Sequence, residues 1–131
     1  MLRSVLPFVG AVAVAYGVLC AWVFFTQRGQ IYFPTPVSAA PGAQVLWVES
    51  QGERIKVWTL PRPGGRALLY FGGNAEDVAG NIDLFAAAFP DRSLFLVNYR
   101  GYGGSSGQPE EAGLVADALA VFDHVRREHS E

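Results

Sequence analysis

A long uncharged run near the amino terminus constrains this chain more than any other feature. No residue from Val5 to Phe25 carries a charge, and Arg3 and Arg28 flank the run. An α-helix rises about 1.5 Å per residue, so about 20 apolar residues cross the ~30 Å hydrocarbon layer of a bilayer. Trp22 would lie near one interface, where indole rings are enriched. The run predicts a single-pass transmembrane anchor over residues 1–26.

Two other interpretations of this run stay open. A basic start followed by an apolar stretch is also typical of a cleaved signal peptide, and Ala13 or Ala15 could supply its small cleavage-site residue. The apolar run continues well past both alanines, which favours a retained anchor. Cys20 could indicate a lipoprotein signal, but the bulky Leu19 precedes it where a small residue is needed.

The charges around the run constrain topology weakly. Arg3 and the α-amino group lie on one side and Arg28 on the other, so the positive-inside rule has little asymmetry to act on. We favour the C-terminal part on the non-cytoplasmic side.

The overall balance of charge excludes one class of partner. The 131 residues include 10 basic and 12 acidic residues, for a net charge of −2. No basic stripe is visible, so phosphate-driven binding of nucleic acid is not expected. The single cysteine excludes an internal disulfide, and the length indicates one domain at most.

A proline-rich passage over residues 27–43 follows the anchor and predicts an extended lead-in, because proline disrupts helices. Two short segments then have strand character, Gln44–Glu49 and Arg54–Leu60, with a turn between them. In the second, Ile55 and Val57 alternate with Arg54 and Lys56, a half-buried pattern. An antiparallel hairpin is the simplest interpretation.

Two continuous apolar runs come next, Ala67–Phe71 and Ser93–Asn98, as is typical of strands buried on both faces of a parallel sheet. Apolar residues at helical spacing predict one helix between these two strands, at Val78, Ile82, Phe85 and Phe89. They predict a second helix after them, at Val115, Leu119, Phe122 and Val125. Pro109, Glu110 and Glu111 suit the first turn of the last helix. The class is α/β, a hairpin joined to a βαβα unit of a mostly parallel sheet.

Glycine-rich loops follow both buried strands. The loop at residues 72–77 enters a helix, where backbone amides could bind an anion or a developing oxyanion; a tight turn without a ligand is the alternative. A Walker loop is excluded because no lysine follows a glycine. Ser106 stands where the dinucleotide fingerprint needs its third glycine.

The second loop also contains a misleading pattern. The stretch from Gly103 to Gly107 matches G-x-S-x-G, but four residues separate it from the strand, whereas a nucleophile elbow follows its strand directly. We therefore do not expect Ser105 to be a nucleophile. His124 and His129 lie among charged residues at the end of the last helix, and their spacing does not suit a metal site.

The two loops together resemble those of the α/β-hydrolases. Residues 69–77, from Leu69 to Asp77, resemble the strand and oxyanion loop often written F-H-G-N-A. Residues 96–107 resemble the next strand and its D-x-R-G-x-G-x-S-x-G loop. The subgroup that the chain most resembles is membrane-anchored and serine-aminopeptidase-like, with an I-Y-F-P lead-in similar to residues 31–34.

The resemblance implies a serine hydrolase of ester, thioester or peptide-like bonds. The backbone amide of Asn74 would donate to the oxyanion, with Gly72 and Gly73 shaping the loop. Gly72 stands where the family usually has histidine, and Asn98 where many members have aspartate. The stretch containing Arg100, Gly101 and Gly103 is structural in the family.

The family's nucleophile elbow, acid and histidine would all follow Glu131, so residues 44–131 are expected to be a truncated hydrolase domain without catalytic residues. Such a segment would have an open sheet edge and an incompletely covered last helix, and we expect marginal stability or aggregation. No cofactor or metal is expected. The whole protein would take a small-molecule or peptide substrate; the alternative is a membrane-tethered, non-catalytic interaction or binding module.

Overall fold

The computed structural model describes residues 2–129, without the side chains of Leu2, Arg3, Ser4 and Leu6. The described chain forms two units, divided between Tyr32 and Phe33. The first unit is one helix, α1 (Leu2–Ile31), which includes Pro7. Its stretch Pro7–Ile31 has a mean hydropathy of 2.2 and is long and apolar enough to cross a membrane, a test that signal sequences also pass.

The second unit contains a mixed four-stranded sheet in the order β1-β2-β4-β3. Its strands are β1 (Gln44–Ser50), β2 (Glu53–Leu60), β3 (Ala67–Phe71) and β4 (Ser93–Val97). β1 and β2 form the expected hairpin, β2 pairs antiparallel with β4, and β3 pairs parallel with β4. This sheet confirms the predicted α/β class.

Two helices cover opposite faces of this sheet. A 3₁₀ turn (Val78–Asn81) leads into α2 (Ile82–Ala88) between β3 and β4, and α3 (Glu111–Glu128) follows β4. Side chains alternate along β4, so Leu94 and Leu96 pack in the cluster that includes Ile82. Phe95 and Val97 pack on the other face, in the cluster that includes residues 121 and 125 of α3.

The predicted apolar face of α3 is wrong in its phase. The buried residues of α3 are Gly113, Asp117, Val121 and Val125, one in every four. Val115, Leu119 and Phe122 are 49–59 % exposed, and of the predicted set Val125 alone is buried. The carboxylate of Asp117 turns inward because it pairs with a buried arginine, which hydrophobic spacing cannot reveal.

Several predicted boundaries and burial patterns also differ. The helix expected to end near residue 26 continues to Ile31, so the extended segment begins later. Pro109 lies before the last helix, because Glu110 is its extended N-cap residue. β3 is half-buried throughout, because it lies at a sheet edge, whereas every residue of β4 is buried. Lys56, expected to face solvent, is only 6 % exposed.

Candidate functional site

The candidate site lies at the carboxyl ends of β3 and β4. We call this end of the sheet the candidate-site edge, as distinct from the lateral edge formed by β3. The two strands are parallel neighbours, so the loop after β3 (residues 72–77) and the loop after β4 (residues 98–107) leave the same edge. Open α/β sheets bind ligands at the carboxyl ends of their strands. This geometry brings together Asn74, Gly72 and Gly73 of the first loop and Arg100, Gly101 and Gly103 of the second.

The first loop is closed by its own glutamate. The Glu76 carboxylate accepts hydrogen bonds from the Gly73 backbone N–H, the Tyr70 hydroxyl and the Asn81 side-chain amide. Ala75 has a left-handed backbone with φ of 64°, which is uncommon for a residue with a side chain. A Cβ on Gly72 would lie 2.6 Å from a Val78 methyl carbon, so glycine is needed there for close packing.

The side chain of Asn74 joins this loop to two distant parts of the chain. Its Oδ1 accepts hydrogen bonds from the Tyr102 hydroxyl at 2.9 Å and from the Phe33 backbone N–H at 3.2 Å. Phe33 N–H also donates to the Tyr102 hydroxyl oxygen at 2.9 Å, and Tyr102 is 4 % exposed. The Tyr99 hydroxyl donates to the Gly72 carbonyl at 3.0 Å. The loop is therefore fixed from three sides.

The second loop is held by a buried ion pair. Arg100 donates from Nε and Nη2 to the two carboxylate oxygens of Asp117, each at 2.7 Å. Both side chains are less than a tenth exposed. The Gly101 N–H donates to the Ser106 carbonyl, and Gly103 packs directly against the Asn98 side chain. Through these contacts, Arg100, Gly101 and Gly103 hold the second loop in place.

Ser105 has no geometry for nucleophilic attack. Its hydroxyl donates to the Asn98 carbonyl at 2.9 Å and accepts from the Lys56 backbone N–H at 2.9 Å. The residue is 8 % exposed. A nucleophile needs a base at its hydroxyl and an open path to a substrate. Here the hydroxyl instead joins β2 to the second loop.

Comparisons with known proteins agree with this architecture. No family model matches the chain. An uncharacterised protein of Mycobacterium tuberculosis is 38 % identical over 127 residues, which cover 88 % of this chain and 45 % of that protein. The α/β hydrolase domain-containing protein WAV2 of Arabidopsis thaliana is 31 % identical over 86 residues, which cover 61 % of this chain and 28 % of WAV2.

Superposition on solved structures identifies the fold. An α/β hydrolase from Vibrio vulnificus superposes with a TM-score of 0.54 at 21 % identity, covering 70 % of this chain and 32 % of the hydrolase. A bacterial membrane phospholipase A gives a TM-score of 0.51 at 20 % identity, covering 92 % of this chain and 41 % of the phospholipase. This chain therefore has part of the α/β-hydrolase fold. It spans less than half the length of the curated relatives it matches.

The two histidines lie near the end of α3, outside the two loops. His129 and Phe122 line a cavity of about 860 Å³ together with Arg66 and Ser93, at the amino ends of β3 and β4. The Nε2 of His124 lies 3.3 Å from a Glu128 carboxylate oxygen on the same helix. Within residues 2–129, no group of three or more His, Cys, Asp or Glu side chains could hold a metal ion.

The hydrogen bonds of Glu76 favour its ionised form. Its pKa is lowered from the ordinary 4.5, first by the Gly73 N–H bond and then by the Tyr70 hydroxyl, while burial opposes the shift. The same hydrogen bond raises the pKa of Tyr70. Burial raises the pKa of Tyr99 and lowers that of Lys56, whose ammonium lies 4.0 Å from the centre of the Trp58 ring.

A pH-dependent loss of loop stability should follow from the Glu76 bonds. The pKa of Glu76 is lower in the folded than in the unfolded state, so its ionised carboxylate stabilises the fold at pH values above the unfolded-state pKa. This stabilisation is lost as the pH falls through the folded-state pKa. We expect Glu76→Gln to be less stable than the parent at neutral pH, with the difference shrinking below about pH 4.5. Urea unfolding of both proteins at a series of pH values measures this difference in stability. A difference that does not change with pH would contradict the stabilising role of the ionised Glu76 carboxylate.

The sequence predicted the two glycine-rich loops but not the contacts that hold them in place. The sequence analysis did not single out Glu76, Tyr70 or Tyr102. Tyr70 and Glu76 are six residues apart in sequence, one on the strand and the other in the loop that follows it. No local pattern indicates that Phe33 reaches Asn74, 41 residues away in sequence.

Proposed function

We propose that this chain is the membrane-anchored N-terminal part of a serine hydrolase that acts on ester, thioester or peptide-like bonds. The observation that carries the proposal is the first loop, closed by Glu76 and fixed through the Asn74 side chain beside the second loop. Preorganised backbone amides are how hydrolases of this fold stabilise a developing oxyanion. The backbone amide of Asn74 is the proposed donor, and Gly72 and Gly73 allow the close approach.

We further propose that the chain does not cleave such bonds by itself. Among the described residues, Ser105 has its hydroxyl bonded within the fold, His129 lies near the amino ends of β3 and β4, and His124 lies beside Glu128 on α3. Attack on a carbonyl needs a serine, a base and an orienting acid within hydrogen-bond reach of one another. The substrate would be a small molecule or a peptide, bound by the whole protein.

We place the anchor in the membrane through the apolar helix α1, with the second unit on the non-cytoplasmic side. Length and hydropathy of Pro7–Ile31 support a span. A pair of reporters fused after residue 129, one active only outside and one only inside the cytoplasm, tests the orientation. Activity of the cytoplasmic reporter alone would reverse it.

A chimera tests the hydrolase proposal. The chain would be joined to the part of the Mycobacterium tuberculosis relative that follows its matched region, and both proteins would be treated with a fluorophosphonate probe. We expect no adduct on the chain alone, and an adduct together with p-nitrophenyl ester hydrolysis in the chimera. Labelling of Ser105 in the chain alone would contradict the proposal, as would a folded chimera without activity.

A second candidate is a membrane-tethered interaction module without catalytic activity. It is favoured by the exposed apolar stripe of Val115, Leu119 and Phe122 on α3 and by the edge position of β3. Monomeric proteins rarely expose contiguous apolar patches of large size. A sharp, cooperative urea transition of the chain in detergent would favour this module, because a stable domain needs no missing half.

A further inference from the structure

The segment from Phe33 to Ala39 crosses the candidate site and is fixed at three points. Phe33 N–H is bonded to Asn74 and Tyr102, as described above. The Thr35 carbonyl accepts from the Gly103 N–H at 3.0 Å. The Ser38 hydroxyl donates to Asp77 at 2.9 Å. The segment therefore runs along the edge of the sheet from which both loops leave.

The outward surface of this segment is apolar. Phe33 is 51 % exposed and Val37 is 73 % exposed, and Pro34, Pro36 and Ala39 are exposed as well. The two polar residues of the segment are partly buried and bond to the domain, Thr35 through its backbone carbonyl and Ser38 through its hydroxyl. A water-exposed segment normally has the reverse arrangement, with polar side chains outward.

The apolar segment follows the apolar helix almost directly in sequence. α1 ends at Ile31, so one residue separates the helix from Phe33. No residue between Arg28 and Glu49 carries a charge. A membrane that contains α1 up to its last turn therefore has Phe33 at its surface, while the long Arg28 side chain can extend to the interface.

We propose that residues 33–39 seat the candidate-site edge of the sheet on the bilayer surface, with Phe33 and Val37 in the interfacial layer. Apolar side chains on an amphipathic segment enter the headgroup boundary in this way. The occupant of this surface is lipid. Resting on the proposed hydrolase function, the substrate class is then a membrane amphiphile whose ester or thioester lies at headgroup depth.

Depth-dependent quenching tests the membrane contact without any need for activity. The full chain with Cys20→Ser would carry a single cysteine at position 33, 37 or 66, labelled with an environment-sensitive fluorophore, in palmitoyl-oleoyl-phosphatidylcholine vesicles. Arg66 is the control, since it precedes β3 and lies about 16 Å of strand away from the first loop. We expect blue-shifted emission and quenching by headgroup and shallow acyl-chain nitroxides at 33 and 37, and neither at 66.

Equal behaviour at the three positions would overturn the membrane contact. The substrate class has its own test in the active chimera, with Val37→Asp. This change should lower turnover of a vesicle-embedded long-chain ester relative to a short soluble ester by about tenfold, since it removes burial of one valine. An unchanged ratio overturns the substrate class while leaving hydrolase activity established; an inactive chimera rejects the hydrolase but leaves the quenching result standing.

Discussion

Asp117→Asn should destabilise the domain by about 3–5 kcal/mol, because it leaves the Arg100 guanidinium buried beside a neutral amide. The pair is bidentate, and the Asp117 side chain is 3 % exposed. Burial of an uncompensated charge, more than loss of two hydrogen bonds, accounts for the expected size. Urea unfolding of the chimera in detergent, followed by tryptophan fluorescence, measures the change.

An exposed ion pair on the same helix provides the matched control. Asp123 pairs with Arg126 at 2.9 Å, but their side chains are 48 % and 66 % exposed. Asp123→Asn should therefore cost less than about 1 kcal/mol. Replacing both Arg100 and Asp117 with apolar residues of similar volume should restore much of the loss. Equal effects at 117 and 123 would show that the buried pair does not anchor the second loop.

Gly103→Ala should cost roughly 2–5 kcal/mol, from a left-handed backbone and from overpacking. Gly103 has φ of +54°, and a Cβ there would lie 1.9 Å from the Asn98 Oδ1. Asn98 is buried and donates from its side chain to the Lys56 carbonyl, so it cannot move without losing that bond. The same urea experiment measures the loss.

Two variants separate the clash from the backbone strain. Gly80→Ala is the control, since no atom lies within 4 Å of its Cβ and its φ is not left-handed. It should be neutral or stabilising by a few tenths of a kcal/mol. Asn98→Ala combined with Gly103→Ala should recover the part due to overlap. Wild-type stability of Gly103→Ala alone would refute the tight contact at this loop.

Much of the fold could be predicted because its hydrophobic patterns are local. The continuous runs Ala67–Phe71 and Ser93–Asn98 form the parallel pair, the second strand ending one residue earlier at Val97, and Pro90 follows the end of α2 as expected. The hairpin was predicted within one residue at each inner boundary. In each case the residues that decide the structure are neighbours in sequence.

The phase of α3 could not be predicted in that way. Apolar spacing selected Val115, Leu119 and Phe122, whereas the helix buries Gly113 and Asp117. A Cβ on Gly113 would lie 2.2 Å from an Arg100 nitrogen, so this glycine makes room for an arginine 13 residues earlier in the chain. The choice of face depends on a long-range ion pair, which a count of hydrophobic residues does not include.

The candidate site, too, could be predicted only where its features are local in sequence. Glycines between a strand and a helix indicated the two loops, since such loops have a recognisable composition. The partners of Asn74 come from 28 and 41 residues away, and neither separation follows a helical or strand period. They become neighbours because the lead-in crosses the ends of both parallel strands.

The position of β4 between β2 and β3 also sets the order in which the chain can fold during synthesis. The β1–β2 hairpin needs local contacts and can form within microseconds of emerging from the ribosome. β2 must then wait for its next partner, since Val57 pairs with Val97. At about 5–20 residues per second that wait lasts roughly 2–8 s. Throughout it the β3 segment lacks its partner β4, so the strand translated last is the one that joins the hairpin to β3.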